Sequence, residues 1–382
     1  MSGLYDLLRR YVDDGTVPGA VALVARGGRT ETVAAGTFEF GGGSPMREDT
    51  LFRLASITKP VMAAALLTLV DEGRLALDEP VKGWLPELAA PRVVRTPDAV
   101  LDDVVPARRD VTVEDLLTFR AGHGFPEDFS LPAVRQLFGT LQKSGLDPRY
   151  TPAPDEWMDR LSRIPMVRQP GEAWLYNTAS DVQGVLAARV SGQPLPEFLA
   201  ERVLEPLRMT DTAFWVPADR LARLPTFYRP GAEGVPEVMD PPGGQWSGPP
   251  AFPSGAGGLV STARDWLAFA RMLLAGGTAE GRRVLSEESV RRMTTDHLTP
   301  GQRASCGLFL EGQGWGYGGS VDVERVRPWN VPGRYGWVGG SGTSAHLVPA
   351  DGTVTVLLTQ MAMTGPTPPA LMRDFWQLAA AA

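Results

Sequence analysis

A chain of 382 residues, 43% hydrophobic and 21% charged, can bury a substantial core as one large domain or two modest ones. A net charge of −7, without acidic blocks, argues against a nucleic-acid partner, which calls for a basic face, and against a solvating tail. The single cysteine, Cys306, excludes an internal disulfide and is compatible with a reducing compartment.

The N-terminal stretch MSGLYDLLRRYVDDGTVPG sets Arg9 and Arg10 before Tyr-Val-Asp-Asp and not before an apolar run. A secretory signal is therefore not expected, and a cytoplasmic location is. The longest mainly apolar run, Val61 to Val70, is about half of what a bilayer requires, so no membrane partner is expected. Gly19 to Arg26 (GAVALVAR), the Gly27-Gly28 turn signal and Thr30 to Ala35 predict an N-terminal hairpin. From Ser56 to Gly73 the Ala/Leu/Met-rich sequence predicts a helix that starts at Ser56, tolerates Pro60 in its first turn and is apolar all round, hence buried. Residues 76–250 read as a mostly helical insert. Helical stretches such as Val113 to Phe119 and Ala179 to Val190 are separated by Pro-rich connections such as PELAAPRVVRTPDAV, YTPAPDEW and MDPPGGQWSGPP. Ala263 to Leu274 reads as an amphipathic helix, and Ala345 to Val348 and Thr353 to Thr359 as strands around the Asp351-Gly352 turn. Leu371 to Ala382 reads as a terminal helix. The predicted fold class is α/β (α+β). An antiparallel sheet built from both termini, residues 1–75 and 251–382, is flanked by helices and interrupted by the insert at 76–250.

Three lysines, Lys59, Lys82 and Lys143, stand among many arginines. A lysine can lose its proton when buried, which an arginine effectively cannot. Of the three, Lys59 alone has a serine three residues before it, in Ser56-Ile57-Thr58-Lys59. At i and i+3 of a helix these side chains share a face, and the hydroxyl sits where free backbone N–H groups favour an oxyanion. The amine could then take the hydroxyl proton, provided burial or nearby positive charge lowers its pKa. An S-x-x-K match alone recurs by chance. Tyr176, just before a predicted helix, could carry a second proton if neighbouring cations lower its pKa; on spacing alone a half-buried packing tyrosine is the simpler reading. The run Tyr335-Gly-Trp-Val-Gly-Gly-Ser-Gly-Thr343 could bring backbone N–H groups to a ligand, or form a bulge or tight turn.

The order of these three elements resembles the class C β-lactamase and DD-peptidase superfamily, and within it the family VIII carboxylesterases, esterases of β-lactamase fold. The stretches LFRLASITKPVMAAALLTLVDEGRLALDEPV, VEDLLTFRAGHG, QPGEAWLYNTASDVQGVL and GAGGLVSTARDWLAFARMLL carry the likeness along nearly the whole chain. The resemblance implies Ser56 as nucleophile, Lys59 as base or pKa-tuning partner and Tyr176 as proton shuttle. It implies an oxyanion hole of the Ser56 and Gly340 backbone N–H groups. It also implies substrate contacts from Trp337, Gly339 and Asn177. Two departures matter. Trp337-Val338-Gly339 stands where β-lactamases carry Lys-Thr-Gly, and a neutral indole cannot replace an ammonium as an anion partner. Tyr176-Asn177-Thr178 departs from the pattern with Asn in third place, which leaves the role of Asn177 open.

No G-x-S-x-G occurs, so an α/β-hydrolase nucleophile elbow is absent from the sequence. His297 and His346 read as structural, and His123, in AGHGF, as a residue lining the pocket. No histidine pair or H-E-x-x-H suggests a metal, and no cofactor is implied; GWGYGG lacks the strand–helix setting of a dinucleotide loop. The expected partner is a small-molecule ester or acyl substrate, with oligomeric state left open. A carboxylesterase on small to medium neutral esters is the leading expectation. An acyltransferase using the same acyl-enzyme, a β-lactamase or D-amino-acid peptidase activity, and a binding protein on a dead hydrolase fold are the alternatives.

Overall fold

The computed structural model describes residues 3–141 and 148–381; Lys143 lies outside the described residues. Along the chain run α1 (Gly3–Asp13), β1 (Gly19–Arg26), β2 (Arg29–Glu39), β3 (Gly42–Pro45) and α2 (Lys59–Asp71). Then come α3 (Pro132–Leu141), α4 (Pro154–Ser162), α5 (Thr178–Ser191) and α6 (Ala263–Leu274). The C-terminal part holds β4 (Gly314–Trp315), β5 (Ser320–Val321), β6 (Tyr335–Gly339), β7 (Thr343–Val348), β8 (Thr353–Thr359) and α7 (Ala370–Ala381).

The strands form one eight-stranded sheet in the order β4-β5-β6-β7-β8-β1-β2-β3. Neighbouring strands pair antiparallel, and β1 joins β8 with Ala20 opposite Thr359. The two chain ends therefore meet in the middle of the sheet, as expected. Alternation along β1 divides its residues between two layers. Ala20 and Ala22 pack with Leu4, Leu8 and Phe375 under α1 and α7. Val21 and Leu23 join the larger core on the other face, which also takes in Val61, Leu66, Leu116, Leu186 and Trp315. That buried cluster runs from the sheet into residues 76–250 without a break. Residues 76–250, expected to be mostly helical with long loops, also hold two short antiparallel ribbons, Arg92–Val94 with Val104–Pro106 and Phe227–Pro230 with Pro236–Asp240.

α1 goes beyond the elements predicted from sequence. Its Leu4, Leu8 and Tyr11 form a buried stripe at helical spacing. The helix predicted from Ser56 begins instead at Lys59, after a 3-10 turn over Ala55–Thr58. Pro60 falls in the first turn of α2, where its missing N–H costs nothing. Ala55 opens the turn with φ 46, a left-handed conformation that L side chains rarely adopt. α2 is buried along eleven of its thirteen residues, from Lys59 to Leu69. Among the described residues no helix is long and apolar enough to cross a membrane.

Candidate active site

Lys59 enters this apolar helix with no exposed surface. Its Nζ donates to three oxygens: Ser56 Oγ at 2.8 Å, Asn177 Oδ1 at 2.8 Å and the Ala256 carbonyl at 2.6 Å. All three are neutral acceptors, so they orient the amine without balancing its charge. Burial lowers the Lys59 pKa from 10.5 to about 7, and the Asp181 carboxylate opposes the fall. Burial thus brings the amine toward its uncharged form beside the serine hydroxyl. Ser56 keeps part of its surface open.

Two local devices bring the acceptors to Lys59. The first is at Tyr176-Asn177-Thr178. The Thr178 N–H donates to the Tyr176 carbonyl across Asn177, which stands at φ 80, ψ −64. This is a strained γ-turn for a non-glycine residue. It starts α5 directly behind Asn177 and directs the amide oxygen to Lys59. The second device is the loop Ser254-Gly255-Ala256. Asp181, buried in the first turn of α5, accepts from Ser254 Oγ at 2.6 Å and from the Ala256 N–H at 3.1 Å. Gly255 is required there, because a Cβ would collide with the Ser180 carbonyl. Neither Asp181 nor this loop was found from sequence. The available signal was a lone acid four residues after Asn177, among small and apolar neighbours.

Tyr176 is bound by its backbone to Phe125, N–H to carbonyl in both directions at 2.9 Å. Lys59 Nζ sits 4.7 Å from its ring centroid. Its hydroxyl accepts the Trp337 Nε1–H at 2.7 Å. The lowered phenol pKa that neighbouring cations would give is not found. Burial pushes Tyr176 up to about 12, against the opposing effects of the Ser56 and Trp337 side chains. Tyr176 is therefore a phenol, able to donate a proton at neutral pH.

β6 brings the third element to the serine. Tyr335, Trp337 and Gly339 alternate onto the face toward α2. A Cβ on Gly339 would strike the Leu54 carbonyl and Thr343 Oγ1 and lie 3.3 Å from the Ser56 nitrogen. The absence of a side chain lets the strand end press against the backbone of Ser56, with Gly340 next in chain and exposed. Trp337, expected at the substrate, is tied into the catalytic cluster. The ring is 3% exposed, and its N–H is committed to Tyr176, so the indole orients the phenol. His123, expected to line the pocket, is held from behind. It is buried, its Nε2 is paired with the Ile164 carbonyl at 2.9 Å, and burial lowers its pKa to about 4, so it is a neutral packing residue behind the pocket wall. His297 stacks on Tyr317, and His346 is buried in β7.

Aromatic rings back the site. Phe119, Trp174 and Trp315 pack behind Tyr176 and Trp337, with Trp315 and Trp337 edge to face at 4.8 Å. Trp246 lies apart in a small cluster with Leu51 and Val216. A cavity of about 290 Å³ opens beyond Trp337, among Trp329, Arg334 and Trp376, but neither Ser56 nor Lys59 lines it.

An antiparallel sheet joined from both chain ends, with a Ser-x-x-Lys turn leading into α2 beside it, defines the β-lactamase/transpeptidase-like fold. The chain belongs to the β-lactamase family, whose model, described as Beta-lactamase, matches residues 4–379. It is 40% identical over 364 residues to Protein Rv1367c of Mycobacterium tuberculosis, covering 92% of this chain and 88% of that protein. It is 35% identical over 371 residues to Esterase EstB of Burkholderia gladioli, with the same coverage of 92% and 88%. Among solved structures it is similar to EstCE1, a hydrolase with promiscuous acyltransferase activity, at TM-score 0.79 and 24% identity, over 98% of this chain and 97% of that one.

Proposed function

We propose that the chain is a serine hydrolase that takes the acyl group of small to medium neutral esters onto Ser56 and passes it to water. The observation that carries this reading is the buried Lys59 amine, 2.8 Å from Ser56 Oγ and surrounded by neutral acceptors. In the acylation step the neutral amine takes the Oγ proton as Oγ attacks the ester carbon. The carbonyl electron pair moves to oxygen, where the Ser56 and Gly340 N–H groups meet it. As the intermediate collapses, the bond to the alcohol oxygen breaks, and the Tyr176 hydroxyl gives that oxygen a proton. The ammonium of Lys59 returns a proton to the phenolate. Water repeats the sequence in reverse and frees the acid.

The names of two relatives, an esterase and a hydrolase with acyltransferase activity, support this reaction class. An alcohol in place of water would make the same intermediate an acyltransferase. Trp337, in the position where a β-lactamase holds its lysine, disfavours substrates that need a cation for their carboxylate. The test is Ser56→Ala. Hydrolysis of p-nitrophenyl butyrate should fall by about 10⁴-fold or more, and a phosphonate should add its mass to the wild-type Ser56 peptide alone. Wild-type turnover in the variant would remove Ser56 as the nucleophile.

A further inference from the structure

One apolar patch is continuous with Tyr176 and has no part in the chemistry above. Phe309, on the short helix Gly307–Leu310, stands 4.8 Å from the Tyr176 ring. Phe129 follows at 6.0 Å from Phe309, and Phe138, on α3, at 5.7 Å from Phe129. Phe125, whose backbone pairs with Tyr176, stacks on Phe138 at 4.2 Å and 10°. Phe129 and Phe138 remain 36% and 37% exposed. Neighbouring aromatic rings left partly in water beside a reactive side chain mark a place where something apolar binds.

The patch is also held in place. Glu127 Oε1 accepts the Leu308 N–H at 2.7 Å, which ties the Phe125–Phe129 loop to the helix bearing Phe309. Asp128 Oδ1 accepts from the Ser130 N–H and hydroxyl, closing the loop on its other side. Three separate elements thus present rings in one row that starts at the phenol.

We infer that this row of rings is the subsite for the alcohol portion of the ester, and that it selects uncharged aryl or bulky apolar alcohols. The inference rests on the proposed reaction, because it takes its direction from Tyr176. The phenol gives its proton to the leaving oxygen, so the group attached to that oxygen starts at Tyr176 and runs out over Phe309 and Phe129. Ring faces hold aromatic and branched apolar groups by stacking and desolvation. The Glu127 and Asp128 carboxylates beside the rings repel an alcohol that carries its own carboxylate.

Acetyl esters that differ only in their alcohol test this. Ethyl acetate and 2-phenylethyl acetate give the same acetyl-enzyme, so the ratio of their kcat/KM values reports alcohol recognition alone. Phe129→Ala and Phe138→Ala remove rings that are already partly in water, so the fold should persist; Phe138→Leu keeps apolar bulk and removes the stack. Each alanine variant should lower kcat/KM for 2-phenylethyl acetate by about tenfold and leave ethyl acetate within about twofold, with Phe138→Leu between. An unchanged ratio in folded variants overturns the subsite. So does a changed preference between p-nitrophenyl acetate and octanoate at an unchanged alcohol ratio, since the patch would then serve the acyl side. If wild type turns over neither ester and Ser56 takes no phosphonate, the proposed reaction itself fails, a result separate from a fixed ratio at retained turnover.

Discussion

Two buried cations flank the serine in sequence, and they are handled in opposite ways. Arg53, three residues before Ser56, is 3% exposed and faces the Asp240 carboxylate, itself 4% exposed, with Nε to Oδ2 at 2.9 Å. Its remaining N–H groups reach the Pro225 and Pro241 carbonyls. Lys59, three residues after Ser56, donates instead to a hydroxyl, an amide oxygen and a peptide carbonyl. The paired arginine keeps its charge and serves as a structural tie between the Ser56 turn and the segment from Pro225 to Pro241. The lysine, desolvated and unbalanced, is brought to the edge of losing its proton. Residue type, burial and partner together separate a cation that holds the fold from one that can do chemistry.

The largest effect should come from making Lys59 behave like Arg53. Lys59→Arg keeps a cation in the pocket but removes the group that can lose a proton near neutrality. Its kcat on p-nitrophenyl butyrate should fall by about 10³-fold. A variant within tenfold of wild type would show that charge alone, and not proton acceptance, is what Ser56 needs. The converse change acts on stability. Asp240→Asn leaves the Arg53 guanidinium buried without its counter-charge, at a cost of roughly 3–5 kcal/mol. A clear drop in thermal midpoint is expected, and an unchanged midpoint would mean that the carbonyls of Pro225 and Pro241 suffice.

A milder probe is pH. The base works when uncharged, so log(kcat/KM) should rise with pH up to about 7 and level off above it. Tyr176, pushed up to about 12, should add no basic limb in the physiological range. The same shift has a sign in stability. The folded state holds fewer protons on Lys59 than the unfolded chain between about 7 and 10.5, so this group's contribution grows more favourable as pH rises through that window. Titration of the rate between pH 5 and 9 is the check. A flat profile would place the functional pKa elsewhere.

The reach of the sequence follows the range of the interactions. Ser56 and Lys59 were legible because their meeting is local, three residues apart on one segment. The sheet joined from both ends was legible because GAVALVAR and TVTVLLT carry strand character without their neighbours. Asn177 could be located but not given a partner, because its orientation depends on a strained γ-turn and on a lysine 118 positions away. The partners of His123 and Trp337 were out of reach for the same reason. Each sits in a stretch that adjoins the site, yet the atom that decides its role, the Ile164 carbonyl or the Tyr176 hydroxyl, comes from distant sequence. The row of phenylalanines was invisible because Phe125, Phe129, Phe138 and Phe309 share no period.

Asp181 offers the smallest and sharpest test of the comparison, since it is the carboxylate that comes nearest to giving Lys59 what Asp240 gives Arg53. It acts on Lys59 by two routes. It raises the lysine pKa through its charge, and it holds the Ala256 carbonyl on Nζ through its bonds to Ser254 and the Ala256 N–H. Asp181→Asn separates the routes, because an amide Oδ1 can still accept those bonds but carries no charge. The acid limb of kcat/KM should then move to lower pH, while the plateau rate stays near that of wild type. A limb that stays in place with a reduced plateau would mean that Asp181 matters through the loop alone. Asp181→Ala should lose both the loop bonds and the charge, lowering the plateau as well as moving the limb, so the two variants together separate electrostatic tuning from positioning.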